Sequence, residues 1–440
     1  MKNLRILIAA AAIIALMNFN WDRAELESRA FVVTIGIDAL DNQEESSGNN
    51  ENGENRFEVY MTIPDVRYIA DDKEENVRVF SARGRTISQA VEAVDSKISN
   101  RIYFGHTKVI MLGENLLKNQ NLLREALDTL ERKNDINAKC IILAANQPIS
   151  EILEAKPYGK SLLGMYISNF YNNSADSAFA MKKMDLETLI ADLGNSGDAV
   201  IPKISLLDSG DAEKEAKEEE KEGNKGKGEE EKQEKKAKEG KEEDKQEKSD
   251  GRKQKELTIA GAAMIADFEL AGYAEEDDLS GYLWLGNAFG NSSGNGKNAA
   301  GAIAVVEHEN FYVSMKVGES RSKFWFEENK ESGRLVCVGE IKVTGNIDSY
   351  KFLEKDFDQD MLQYFENLFC MSIAEQAASI FGLFRDEYGI DGFNLQEHLK
   401  KKNHDLFLKY ADSDGAYWDS VFADMDFQPR VTVDLELPPV

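Results

Sequence analysis

The sequence predicts an α/β (α+β) protein: three small mixed-sheet domains flanked by helices, preceded by an export signal or anchor. Three observations carry this reading. From Phe31 onward, runs of strand-forming residues alternate with segments whose apolar residues recur at helical spacing. A charged tract and a Gly/Asn/Ser-rich loop, Gly286 to Gly301, then break that alternation into units. Finally, Lys2 and Arg5 lead into an apolar run from Ile6 to Met17, shorter than the ~20 residues a membrane-crossing helix needs. The expected organisation is residues 1–19 as signal or anchor, 20–148 as an N-terminal α/β domain, 149–300 as a middle domain carrying the tract 209–256, and 301–440 as a C-terminal α/β domain.

Phe31–Asp38 and Phe57–Ile63 are predicted strands separated by an acidic, Asn-rich loop. Thr86 is placed to cap a helix on which Ile87, Ala90, Val91, Val94 and Ile98 follow helical spacing. Tyr103 to Leu112 predicts a strand, followed by a helix through Leu116, Leu123, Leu127 and Leu130 and a strand from Ala138 to Ala144. Ala199 to Leu206 predicts a short strand, and Pro202, which has no amide donor, argues for an edge position.

Residues 209–256 are rich in Lys, Glu, Gly and Gln and nearly devoid of apolar side chains. Such a stretch buries too little surface to offset its ordering entropy, so disorder or transient helix is expected. Its Lys and Glu largely cancel, which assigns the acidic excess mainly to the folded parts. Leu257 to Ile265 predicts a strand continuing towards Phe268 and Leu270. Long surface insertions add little closure entropy, so the tract is read as an insertion between two strands of one domain. A linker between independent domains is the alternative.

In the third unit Ala302–Val306, Phe311–Val317, Leu335–Val343 and Arg430–Leu437 are strand-like. Between them an amphipathic helix runs from about Asp358 to Glu387. Leu362, Phe365, Phe369, Ser372, Ile373, Gln376 and Ile380 form an imperfect inner stripe, and interspersed polar residues argue against a membrane helix.

Composition excludes several functions. A formal net charge of -27 argues against a nucleic-acid partner, which requires phosphate neutralisation by Lys and Arg, and against simple electrostatic attachment to anionic lipid. The three cysteines, Cys140, Cys337 and Cys370, lie far apart in apolar segments, the pattern of small buried residues rather than a disulfide framework or a zinc site. His398 and His404 are separated by six positions and His308 sits between Glu307 and Glu309, so no metal-ligand pattern forms and a surface role is expected for each. Asp412-Ser413-Asp414-Gly415 lacks the further ligands of a calcium loop and reads as a turn or cap. No phosphate-binding loop and no nucleophile elbow occur. The expectation is a protein without catalytic residues, metal or cofactor.

The stretch Asn20-Trp21-Asp22-Arg23-Ala24-Glu25-Leu26-Glu27, running into Val32-Val33-Thr34-Ile35-Gly36-Ile37-Asp38, resembles the mature N-terminus of the Ger(x)C family, the C subunits of nutrient germinant receptors in endospores. Similarity continues through Phe104-Gly105-His106-Thr107-Lys108-Val109-Ile110, Gly113-Glu114-Asn115-Leu116, Leu130-Glu131-Arg132 before the strand at Cys140, Gly261 to Gly272, Gly389-Ile390-Asp391-Gly392-Phe393 and Trp418-Asp419-Ser420-Val421-Phe422. Each piece is short; their co-linearity is specific. The resemblance implies three α/β domains on the outer side of the spore's inner membrane, acting through two integral membrane subunits, A and B. The family's lipidated cysteine precedes Trp-Asp. Here that position is Asn20, whose amide cannot form the thioether.

Trp21, Asp22 and Arg23, next to the membrane attachment point, are the expected contacts with a membrane subunit or the membrane surface. His106, beside a strand, is expected to be a packed or hydrogen-bonded core residue, and Trp418 and Phe422 core anchors. Other readings are an extracytoplasmic small-molecule (germinant) binding module and a diverged soluble paralogue. An extracytoplasmic hydrolase is a third class, for which no carboxylate pair stands out.

Overall fold

A computed structural model of the 440-residue chain describes residues 28–40, 55–64, 77–155, 162–173, 183–208, 255–286, 303–308, 311–349, 359–411 and 417–436. Asn20 and Trp21–Arg23, the apolar run before them, almost all of the charged tract, the Gly/Asn/Ser-rich loop and Asp412–Gly415 lie outside the described residues.

The chain forms mixed α/β layers, as the alternation of elements predicts. In order come β1 (Arg29–Phe31), β2 (Thr34–Ala39), β3 (Phe57–Pro64), β4 (Val77–Gly84), α1 (Ile87–Asp95), β5 (Arg101–Tyr103), β6 (Val109–Gly113), α2 (Glu114–Leu117), α3 (Gln120–Arg132) and β7 (Ile141–Ala145). Next are α4 (Ile149–Glu154), α5 (Leu163–Asn173), α6 (Leu186–Asn195), β8 (Ala199–Asp208), β9 (Lys255–Ala266), β10 (Glu269–Ala274) and α7 (Ser280–Leu285). The last group is β11 (Ile303–His308), β12 (Phe311–Glu328), β13 (Leu335–Ser349), α8 (Gln359–Gly382), α9 (Leu395–Lys402), α10 (His404–Tyr410), α11 (Trp418–Ala423) and β14 (Asp426–Glu436).

One sheet has eight strands in the order β10-β9-β8-β7-β6-β2-β3-β4. Its four central strands, β8, β7, β6 and β2, are parallel, with antiparallel pairs on both sides. Central parallel strands are buried on both faces, which is why β6 and β7 are apolar throughout. The core containing α1, α2, α3 and α6 lies on one face and the core containing α4 and α5 on the other. The expected boundary at residue 148 therefore falls inside this sheet: strands from both sides of it are hydrogen-bonded neighbours.

β8 and β9 pair antiparallel, and Asp208 and Lys255 are register partners. The charged tract is thus an insertion within a hairpin of one sheet, not a linker between separate folds. Pro202 does not mark an edge, because β8 lies between β7 and β9. It sits at a register shift between Pro202 and Ile204, where a missing amide is tolerated.

Two other expectations change locally. The strand expected over Tyr103–Leu112 is two strands, β5 and β6, with Phe104–Lys108 turning between them. The helix expected from Leu116 is broken after Leu117, and Asn119 caps the longer α3 by accepting from Leu122 N at 3.1 Å. Thr86 caps α1 as predicted, accepting from Gln89 N at 3.2 Å.

Besides the small parallel pair β1-β5, the other sheet is β11-β12-β13-β14, and α8 lies in the crossover between the parallel pair β13 and β14. By length and composition alone, Gln359–Tyr388 passes as a membrane span. Here α8 places Phe365, Phe369, Ile373, Ala377 and Ile380 in the core with Val433 and Leu435 of β14. Gln376 interrupts the apolar stripe because its Oε1 accepts from Trp284 Nε1 at 2.7 Å. Val200, Ala262, Met264 and Ala274 of the large sheet belong to this same core, so the two sheets are packed together.

Candidate functional site

The two sheets are tied by a buried joint around two carboxylates, Asp198 and Asp391. Asp198 sits between the end of α6 and the start of β8, its amide donating to Ser196 Oγ at 3.1 Å. On the other side α8 runs into a π-helical turn, Leu383–Tyr388, ended by Gly389 in the left-handed region (φ 64°). Ile390 N then donates to Phe384 O at 2.9 Å, which turns the chain into Asp391.

Asp391 works in three directions. Its Oδ1 accepts from Leu395 N at 2.8 Å and its Oδ2 from Gln396 N at 2.9 Å, which caps the start of α9. The same Oδ2 accepts from Trp418 Nε1 at 3.0 Å and so fixes α11. Its backbone amide donates to Asp198 Oδ2 at 2.8 Å, while Asp198 Oδ1 accepts from Asp267 N at 3.2 Å in the β9–β10 turn.

Two further bonds flank the pair. Asn394 Nδ2 donates to Asp192 Oδ1 of α6 at 2.9 Å, and Tyr388 OH donates to Tyr273 O of β10 at 2.9 Å. The turn that supplies Asp267 is held from α3: Gln120 Nε2 donates to Asp267 O at 2.7 Å, and Arg124 pairs with the Asp267 carboxylate at 3.0 Å while lying over the Phe268 ring.

Asp198 and Asp391 are 8% and 3% exposed, so their charged forms are poorly solvated. Burial raises the Asp198 carboxyl from 3.8 to about 7; its amide donors oppose this, and the charges of Asp391 and Asp419 add to it. Burial likewise raises Asp391 to about 6, against the donors on α9 and Trp418. Each of the four carboxylate oxygens already accepts an N–H. Among the described residues, no group of three His, Cys, Asp or Glu is placed to hold a metal. The arrangement is suited to holding distant parts of the chain in register.

A third carboxylate, the partly buried Asp38, lies at the end of β2. Its Oδ1 accepts from Ala39 N at 2.9 Å and from Leu116 N at 3.0 Å, tying β2 to α2. Gly113 makes this possible, since a Cβ there would lie 2.1 Å from Asp38 Cγ. Burial raises the Asp38 carboxyl to about 6. Glu114 of α2 in turn accepts from Tyr273 OH at 3.4 Å.

Of the residues singled out in the sequence, Trp418 and Phe422 are core anchors as expected. His106 is not a core residue: it is exposed, with ring contacts to Phe31 and Tyr103 at 5.0 and 5.9 Å. His398 is not a surface residue either, being partly buried with Nε2 3.2 Å from Phe324 O. Burial lowers its pKa. Cys140 and Cys337 are buried, Cys370 is half-buried, and all three are free thiols. Asp198 escaped sequence reading because one carboxylate among 80 acidic residues carries no mark of its own.

Two family profiles match the chain in order. "Spore germination protein N-terminal domain" covers residues 22–206, and "Spore germination B3/ GerAC like, C-terminal" covers residues 260–437. The chain belongs to the Ger(x)C family of spore germination proteins.

This Ger(x)C chain is similar to Spore germination protein B3 of Bacillus subtilis (strain 168), 20% identical over 414 residues, covering 93% of this chain and 91% of that protein. It is also similar to Spore germination protein KC of the same organism, 25% identical over 138 residues, 30% of this chain and 31% of that protein. Among solved structures it aligns with the crystal structure of the GerBC protein, at 15% identity and a TM-score of 0.47, covering 86% of this chain and 93% of that one. The joint unites the two profile regions: Asp198 lies in the first and Asp391 in the second. The charged tract falls between them.

Proposed function

We propose that this Ger(x)C chain is the non-catalytic C subunit of a spore nutrient germinant receptor. It works by assembling with the integral membrane A and B subunits on the outer face of the spore inner membrane. The observation that carries this reading is the co-linear match of both family regions to one chain whose buried polar centre is saturated by main-chain and indole donors. Such a centre supports a rigid scaffold for partner subunits better than a reaction site. Trp21, Asp22 and Arg23 are the proposed first contacts with the partners, because they follow the apolar N-terminal run directly. With Asn20 in the family's cysteine position, tethering rests on the partner subunits, assisted by that run.

The test is a clean deletion of the gene in its own organism. Spores should form in normal number and lose germination in response to at least one nutrient. Re-expression of the full chain should restore the response. Unchanged germination across a broad set of amino acids, sugars and nucleosides contradicts the proposal.

A further inference from the structure

The parallel strands give the large sheet two different ends, and one of them gathers cations. At the end where β2, β6 and β7 begin, neighbouring segments follow one another in hydrogen-bonded order. Arg29 is the register partner of Arg101. Val32 N donates to Tyr103 O, Lys108 N to Val33 O, Ile141 N to Lys108 O, and Ile142 N to Met184 O. Arg29, Arg101, Lys108 and Lys183 therefore lie along one rim, with His106 and Tyr103 between them. Arg101, His106, Lys108 and Lys183 are exposed, and the Arg29 guanidinium lies over the Tyr103 ring at 4.8 Å.

None of these four cations is in a salt bridge among the described residues. Lys108 and Lys183 flank the start of β7, since Ile141 N donates to Lys108 O and Ile142 N to Met184 O, next to Lys183. The stretch Ser96 to Gly113 contains no acidic residue, in a chain of net charge -27. Cations outside salt bridges among the described residues, beside partly exposed aromatic rings, have the composition that favours a phosphate-bearing lipid interface.

Chain connectivity points the same way. The apolar run ends at Met17, so β1 starts at most about 40 Å of extended chain from it. The roots of the charged tract, Asp208 and Lys255, lie towards the opposite end. β8 continues roughly 25 Å beyond the level of Thr34 and Ile141 before reaching Asp208.

We propose that this rim rests on the anionic headgroups of the bilayer, directing the hairpin that carries the charged tract away from the membrane. The proposal rests on the membrane location given under Proposed function. Its test is flotation of the purified full chain with vesicles of phosphatidylcholine alone or with 30 mol% phosphatidylglycerol, at low and high salt. The expected result is stronger binding to the anionic vesicles, abolished by salt. The surface variant R101E/K108E/K183E should lower that partition on the order of a hundredfold and leave binding to neutral vesicles and the circular dichroism spectrum unchanged.

Equal binding of the wild-type chain to both vesicles overturns the rim while leaving a membrane-resident N-terminus. Binding to neither overturns the membrane reading and the rim with it. A variant that keeps its anionic preference but no longer co-purifies with membrane proteins assigns the rim to a protein partner, and overturns the proposal.

Discussion

Asp198→Asn isolates the electrostatic cost at the joint. In the folded protein the Asp198 carboxyl is raised from 3.8 to about 7, mainly by burial. The fold therefore binds more protons than the unfolded chain between these two values. Stability from this group is fully present below pH 3.8, declines as pH rises through the window, and is flat above about 7. The difference corresponds to about 4 kcal/mol. Asparagine cannot ionise, so the variant lacks this decline. It presents one amide hydrogen where Asp391 N or Asp267 N now donates, which costs about 1–2 kcal/mol at every pH. Urea unfolding of both proteins from pH 4 to 8 should thus show the variant slightly less stable at the acid end. The gap should close at about pH 5, where the wild-type decline reaches the same 1–2 kcal/mol, and reverse above it. Comparing the two proteins cancels the titration of the other acidic residues. A stability difference independent of pH refutes the assignment of a raised carboxyl at this joint.

Four further outcomes follow from the same structure. Asp391→Ala strands the α9 amides and the Trp418 indole, and should destabilise by about 3 kcal/mol. Trp418→Phe should cost about 1–2 kcal/mol alone and clearly less in the Asp391→Ala background, and an additive double-mutant cycle argues against their bond. Gly281→Val places a Cβ 2.0 Å from Gln376 O, forcing α7 off α8 and breaking the Trp284–Gln376 bond. A loss of about 3 kcal/mol or more in thermal unfolding is expected, and a near-neutral result contradicts the close crossing. Replacing residues 209–254 by Asn-Gly joins register partners, so the chain should be at least as stable as wild type, with closure entropy favouring it by about 3 kcal/mol. A clear loss of stability would show that the tract supports the fold.

The elements were legible where local signals act alone. Thr86 caps α1 because its side chain needs only its own helix, and apolar β7 could be read from composition. The breaks were harder. Tyr103 to Leu112 looks continuous in apolar character, yet the chain turns at Phe104–Lys108 so that Arg101–Tyr103 can pair with β1 and Val109–Gly113 with β2. Pro202 misled because its missing amide falls at a shift in register that only the partner strand reveals.

The joint was half legible. Asp391 and Trp418 lie in stretches that draw attention as sequence, but their partner Asp198 is 193 positions away from Asp391. Its role depends entirely on the tertiary approach of the two sheets. Gln376 likewise reads as a flaw in an apolar stripe until Trp284 is placed opposite it.

We propose a receptor subunit held at the membrane without its own lipid. Intact mass and membrane fractionation of the native protein from spores test it most directly. The predicted result is an unlipidated chain, full-length or starting near Asn20, that sediments with the inner membrane and is solubilised together with the A and B subunits. An unlipidated chain recovered free in the soluble fraction contradicts the claim and identifies a diverged paralogue working outside the receptor.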